Sequence, residues 1–237
     1  MVDDRLASET LDAASRSVLV QPVTVTGGAY KPLDLAGQLN VATATYDGYR
    51  SRGAFDAGGF SFPAEFLPPA GDGGKTLEYP GIFFGGERGP DSLARVPLRY
   101  APMDQRGASA IACVGQQIAL PKEPLGAIYL AAAASEAVAA EFRIAYADGS
   151  SQSVVVQVPS WVSPPTDAVV AVRAPFVRGT ADDVQATACI YLLRIGDIAN
   201  KEPAAIILPA APQIKIFAIT IERRSAASPT PAKTGGS

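Results

Sequence analysis

The sequence predicts an all-β protein, an antiparallel β-sandwich or jelly roll, and three observations carry that prediction. Short apolar or alternating runs recur along the chain, roughly ten of them, with turn residues between, as sandwiches require. The 237 residues include 20 prolines and 22 glycines, which favour strands joined by loops over helical bundles. No helix-length segment separates the strand-like runs, so parallel crossovers are not expected.

Val18 to Val25 is the first strand candidate, with Pro22 arguing for an edge position. Gly27-Gly28 turns the chain, and the short apolar Leu33-Asp34-Leu35 follows. Residues 40 to 76 form one long irregular region, which in a compact domain points to function or to a structured cap. Ile82-Phe83-Phe84, Val96 to Tyr100 and Ser109 to Leu120 read as the next three strands, then Ala127 to Ala131. Phe142, Ile144 and Tyr146 are spaced by two, Asp148-Gly149 signals a hairpin, and Ser153 to Val158 returns. Val169 to Val172, Thr187 to Ile195, Ala205 to Leu208 and Ile214 to Arg223 close the list. The apolar runs Ile190 to Leu193 and Ile214 to Ile221 suit strands covered on both faces. Leu130 to Ala140 is alanine-rich enough to allow a helix instead. The expected division is a flexible segment 1–17, one β-sandwich domain 18–224 and a low-complexity tail or linker 225–237.

Composition narrows the chemistry. There is no histidine, which excludes Ser-His-Asp and Cys-His catalysis and removes the commonest transition-metal ligand. A net charge of −3 provides no basic footprint for nucleic acid. No apolar run reaches transmembrane length, so no membrane insertion is expected, and residues 1 to 17 lack the apolar core of a signal peptide. Cys113 and Cys189 lie in apolar runs and read as buried thiols, with a disulfide between facing strands as the alternative. Gly71-Asp72-Gly73-Gly74-Lys75-Thr76 lacks the spacing and context of a phosphate loop. Asp182-Asp183 reads as a solvated turn.

The densest stretch runs from Phe55 to Pro69. Gly58 and Gly59 permit close backbone approaches, while Pro63, Pro68 and Pro69 fix φ, so the run is a stiff loop rather than a helix. With the preceding residues it offers aromatic rings (Tyr46, Tyr49, Phe60) beside planar polar groups (Asp47, Arg50, Arg52, Asp56, Glu65), the pairing that sugar recognition needs. The competing reading has Phe55, Phe60, Phe62 and Phe66 plugging the sandwich while the charges face water, and it carries the greater weight because phenylalanine is usually buried. Asp56 and Glu65 are the alternative catalytic pair, since glycoside hydrolysis needs only two carboxyl groups at a set separation. Oxygen-ligated calcium through Asp34, Asp47 or Asp56 is chemically reasonable, although no EF-hand spacing is present. Trp161, the sole tryptophan, reads as core.

Asp34-Leu35, Asn40, Phe55-Asp56, Gly58 to Pro63, Ala64-Glu65, Leu67-Pro68, Gly81 to Phe84, Pro90-Asp91, Gly115 to Pro121, Tyr146 to Ser150 and Trp161 resemble, in order and spacing, accessory β-sandwich domains of extracellular glycoside hydrolases. Ala57 stands where those domains carry a first glycine, and Phe62 where tyrosine is common. The resemblance implies a galactose-binding-like sandwich with a non-catalytic role, a carbohydrate ligand, a neighbouring glycoside hydrolase domain as partner and an extracellular setting. Two other readings stay open: a β-sandwich hydrolase or lyase using Asp56 and Glu65, and a protein–protein assembly module.

Overall fold

The computed structural model describes residues 30–67, 78–80, 96–100 and 107–224, with the backbone alone for 78–80 and Pro97. In chain order the strands are β1 Tyr30–Pro32, β2 Ala44–Thr45, β3 Phe62–Pro63, β4 Glu78–Pro80, β5 Pro97–Arg99, β6 Ile111–Val114, β7 Gln117–Ala119 and β8 Leu125–Ala134. They continue as β9 Val138–Tyr146, β10 Ser151–Val158, β11 Val170–Ala174, β12 Val177–Arg178, β13 Asp183–Val184, β14 Ala188–Ile195, β15 Pro203–Ile207 and β16 Ala210–Arg223. The expected strand at 18–25, the strand at 82–84 and the 71–76 run lie outside the described residues.

Two antiparallel sheets make the sandwich. The larger has the order β1-β16-β8-β14-β11, with β6 pairing the first half of β16, and the smaller has the order β10-β9-β15-β7. Their facing sides share an apolar core that includes Ile128, Leu130, Phe142, Ile144, Ile206 and Ile216. Burial of each such side chain is worth about 1.5–3 kcal/mol, so this layer contributes strongly to stability. The other side of the larger sheet is covered too: Tyr129, Ala131, Ala133, Ile190 and Phe217 pack against Phe55, Phe62, Leu67, Leu98 and Trp161. That is why β8 and β14 read as continuous apolar runs rather than alternating ones.

β16 shows how a sequence fixes such a double-faced strand. Ile214 and Ile216 pair with Ala134 and Ala132, Ala218 and Ile219 pair with Ala131 and Leu130, and Phe217 is the extra residue of a β-bulge. The bulge restores phase across the three-residue gap, so Ile214, Ile216, Ile219 and Ile221 all enter the inter-sheet core. Phe217 is left to face the covering layer.

One strand expectation is corrected, and the readings left open are decided. Ser109 to Leu120 is two strands: β6 belongs to the larger sheet and β7 to the smaller, and the chain changes sheets at Gly115-Gln116. Gln116 satisfies the crossing by accepting from Val114 N at 2.6 Å and donating to Ala112 O at 2.9 Å. The alanine-rich window 130–140 is strand β8, a turn and β9, because its alternate alanines line both cores. Leu33 and Leu35 of the short apolar run are both buried. Cys113 and Cys189 are both free and buried, one in each core layer, so the disulfide alternative is excluded.

The Asp148-Gly149 hairpin is as expected, with β9 and β10 in unbroken register from Ser151↔Ala145 to Val158↔Val138. Gly149 sits at φ 82°, in the left-handed region that glycine enters without a Cβ penalty.

Candidate functional site

The Phe55–Leu67 stretch forms part of the layer over the outer face of the larger sheet. Phe55 stacks on Trp161 with centroids 4.5 Å apart, and Phe62 meets the same indole edge-on at 5.1 Å. Phe62 and Phe217 also make an edge contact at 5.7 Å. Trp161 is 1% exposed, so it is core. The loop itself closes on Asp56, whose Oδ1 accepts the amides of Gly58 at 2.9 Å and Phe60 at 3.1 Å. Such a turn needs a short acceptor side chain at this position. Phe60 is half-buried, its ring lying against Gly58 and Gly179. Gly179 is required there because a Cβ would come within 2.5 Å of Asp182 O.

Beside the loop a chain of charges joins this layer to the β12–β13 hairpin. Arg178, only 3% exposed, donates to Thr45 O at 2.8 Å and to Glu65 Oε2 at 2.9 Å, with a second hydrogen bond to Glu65 Oε1. Bidentate guanidinium–carboxylate pairs of this kind are the strong ones. Arg178 Nε lies 3.6 Å from Asp183 Oδ1 and has no hydrogen-bond partner among the described residues. Arg50 donates to that same Asp183 oxygen at 2.7 Å and to Asp47 Oδ1 at 2.8 Å. Five side chains, Asp47, Arg50, Asp183, Arg178 and Glu65, thus alternate in sign as one latch. Asp183 is exposed, as expected of a solvated turn, and is also an ion-pair partner on β13.

Of the remaining candidates, Tyr49 and Arg52 sit on Asp47–Arg52, two short 3-10 turns joined across a kink at Tyr49. Tyr49 is 38% exposed, and the Arg52 guanidinium lies 4.4 Å from its ring centroid. Tyr46 is half-buried at the start of this turn. Asp34 is remote from it in bonding, accepting from Ala36 N at 3.0 Å and facing Arg99 at 3.6 Å. Among the described residues no three of His, Cys, Asp or Glu gather in a way that would hold a metal ion. Asp34, Asp47 and Asp56 each have separate protein partners.

The structure therefore brings Asp47, Arg50 and Glu65 into one network, places Tyr49 and Arg52 together on the surface, and gives Asp56 a turn of its own. Sequence reasoning missed Arg178 and Asp183, whose partners stand 113 and 133 positions away. It also missed Lys215, the one charge inside the apolar run Ile214 to Ile221. That interruption was the available signal.

With two packed antiparallel sheets the molecule is a β-sandwich protein. More narrowly, the chain belongs to the family of AziU2-like β-sandwich domains, whose model matches residues 73–225, well over half its length. The matched stretch contains β4 to β16, and β1, β2 and β3 precede it. No curated protein matches the chain.

Proposed function

We propose that the chain is a non-catalytic accessory module that binds carbohydrate on the exposed side of the Tyr46–Arg52 turn. The observation that carries this reading is a division of labour among the candidates. Asp56 and Glu65 use their carboxylate oxygens to hold the loop and the latch, whereas Tyr49 and Arg52 reach solvent with no carboxylate bonded to either among the described residues. An aromatic ring offers the apolar surface a pyranose stacks on, and a guanidinium donates to adjacent hydroxyls. The resemblance of the Phe55–Leu67 stretch to accessory domains of glycoside hydrolases supports the same class. In this reading Asp47, Arg50, Asp56, Phe60 and Glu65 shape and support the turn, and a neighbouring hydrolase domain supplies any catalysis.

Affinity gel electrophoresis over a panel of soluble polysaccharides, run beside a reducing-sugar assay on the same panel, tests it. The expected result is retardation by at least one polysaccharide, relieved by Tyr49→Ala, with no sugar released. Mobility unchanged by every polysaccharide would sink the binding reading. Sugar release that disappears in Glu65→Gln would replace it with a hydrolase.

A further inference from the structure

A strand paired on one side only offers a row of free N–H and C=O groups to other chains, and proteins usually blunt such edges. Among the described residues most edges of this sandwich are blunted. β1 is three residues long and carries Lys31 and Pro32. β7 is also three residues long, and β11 carries Arg173 and is interrupted by a bulge between Val170 and Val172. Beside β6 the Asn40 side chain takes up the Ala112 amide and carbonyl. β10 has none of these devices. Its eight residues, Ser151–Val158, contain no charge, no proline and no glycine, and they hold unbroken register with β9. No described strand pairs its other side.

The direction of the unpaired groups follows from the hairpin. Tyr146 N donates to Ser150 O, and antiparallel pairs alternate, so even-numbered residues of β10 turn their backbone groups toward β9 and odd-numbered ones turn them outward. Among the described residues, no hydrogen bond outside the β9–β10 pair involves the backbone of Ser153, Val155 or Gln157. Val155 stands in the middle of this row with its side chain 64% exposed, more than any other large apolar side chain among the described residues. Its neighbour Val154 faces the inter-sheet core yet is only half-buried, at the open end of the smaller sheet.

We propose that β10 pairs antiparallel with β10 of a second copy of the chain, about a two-fold axis through Val155. Inward residues must stand opposite inward residues across such a pair, so the axis has to pass through a residue. Centring on Val155 sets Val155 beside its own copy, Ser153 opposite the second copy's Gln157 and, on the core side, Val154 opposite the second copy's Val156. The outward N–H and C=O groups of Ser153, Val155 and Gln157 are then exchanged, and the exposed valine and the half-buried one are covered in the same step. A second copy fits this edge better than a foreign strand because the edge complements itself. Valine meets valine, polar side chain meets polar side chain, and an uncharged strand sets no like charges opposite one another. The strands that carry Glu141 in the two copies stay three spacings apart, about 14 Å. The assembly closes at two copies, since the outer ends of the joined sheet are then the short β7 strands. The edge belongs to the smaller sheet, away from the Tyr46–Arg52 turn, so this inference stands apart from the carbohydrate reading.

Size-exclusion chromatography with light scattering, run on the full chain from low to high micromolar concentration, tests it. The mass expected at high concentration is twice the 24.5 kDa of one chain. Val155→Lys and Val155→Glu each set like charges against each other on the axis and are expected to halve that mass. Far-ultraviolet circular dichroism and Trp161 emission are expected to stay native in both, because the position is exposed. Mixing the two variants is expected to restore the double mass, as opposite charges then meet; variants that had merely failed to fold would not recover. Ser153→Pro removes an outward N–H that β9 does not use and is expected to weaken the dimer at least tenfold. A single-chain mass at every concentration overturns the proposal, as does a dimer that Val155→Lys leaves intact or a mixture that stays monomeric. A monomer whose Val155 amide resists hydrogen exchange would mean that another segment of the chain covers the edge, and overturns it equally.

Discussion

Arg178 shows how much one side chain organises. It reaches the backbone of Thr45, the carboxylate of Glu65 and the neighbourhood of Asp183, so three segments distant in sequence meet at one guanidinium. Removing only one partner strands a buried charge, and the loss for a buried pair is typically 3–5 kcal/mol. Because the Glu65 side chain is 24% exposed, Glu65→Gln is expected to cost about 3 kcal/mol, at the lower end of that range. The double change Glu65→Leu with Arg178→Met is expected to cost less than the sum of the two single changes, as read by urea unfolding in a double-mutant cycle. Phe62 has no charge to strand, and Phe62→Ala is expected to cost about 3–5 kcal/mol through the cavity left against Trp161 and Phe217. Trp161 is the only tryptophan, so its emission reports on this layer without interference. In Glu65→Gln a red shift of that emission should precede loss of the far-ultraviolet strand signal during denaturation. Coincident transitions would show that the layer and the sheets unfold as one.

At the scale of elements, what was readable in the sequence was whatever depends on near neighbours. The β9–β10 hairpin follows from a two-residue alternation and an Asp-Gly turn, both local signals. Gly149→Val would force a branched residue into the left-handed region and is expected to destabilise by about 1–3 kcal/mol, measurable by thermal unfolding. The packing of β16 on both faces was legible for the same reason, since its isoleucines announce an apolar environment on each side. The break between β6 and β7 was not, because the apolar pattern continues through Gly115 while the pairing partner changes from β16 to β15. Asn40 was likewise noticed for its place in a motif, whereas its physical role is to act as a length of strand. Its side chain accepts from Ala112 N at 2.7 Å and donates to Ala112 O at 3.1 Å, prolonging the edge of β6. The candidate site was least legible of all. Glu65 and Asp56 looked alike as acidic loop residues, and only the arrival of Arg178 from a distant hairpin distinguishes them.

Several weakly acidic groups among the described residues are buried, and this sets the response to alkali. Burial pushes the Cys113 thiol up to about 12 and, as the largest cause, also the Tyr129 phenol to about 12. Burial likewise raises Cys189, Tyr191, Tyr30 and Tyr146. In the unfolded chain these groups lose their protons near pH 9 for thiols and near pH 10 for phenols, before the folded ones do. The unfolded state therefore binds fewer protons in that interval, and stability falls as pH rises from about 9 towards 12. Urea midpoints measured at pH 8, 10 and 11 are expected to decline in that order, and a flat profile would contradict the burial described. In the same setting both thiols should stay silent to a disulfide-exchange reagent at pH 8 until the protein is unfolded.

The extra residue at position 217 also governs what changes of length the chain tolerates. Phe217→Gly empties a volume but leaves the rest of β16 in phase. Deleting the residue outright removes the bulge and leaves Ile219 and Ile221 two and four positions after Ile216, still facing the interior along a regular strand. The two lesions differ by a single backbone unit, yet the first makes a hole and the second straightens the strand.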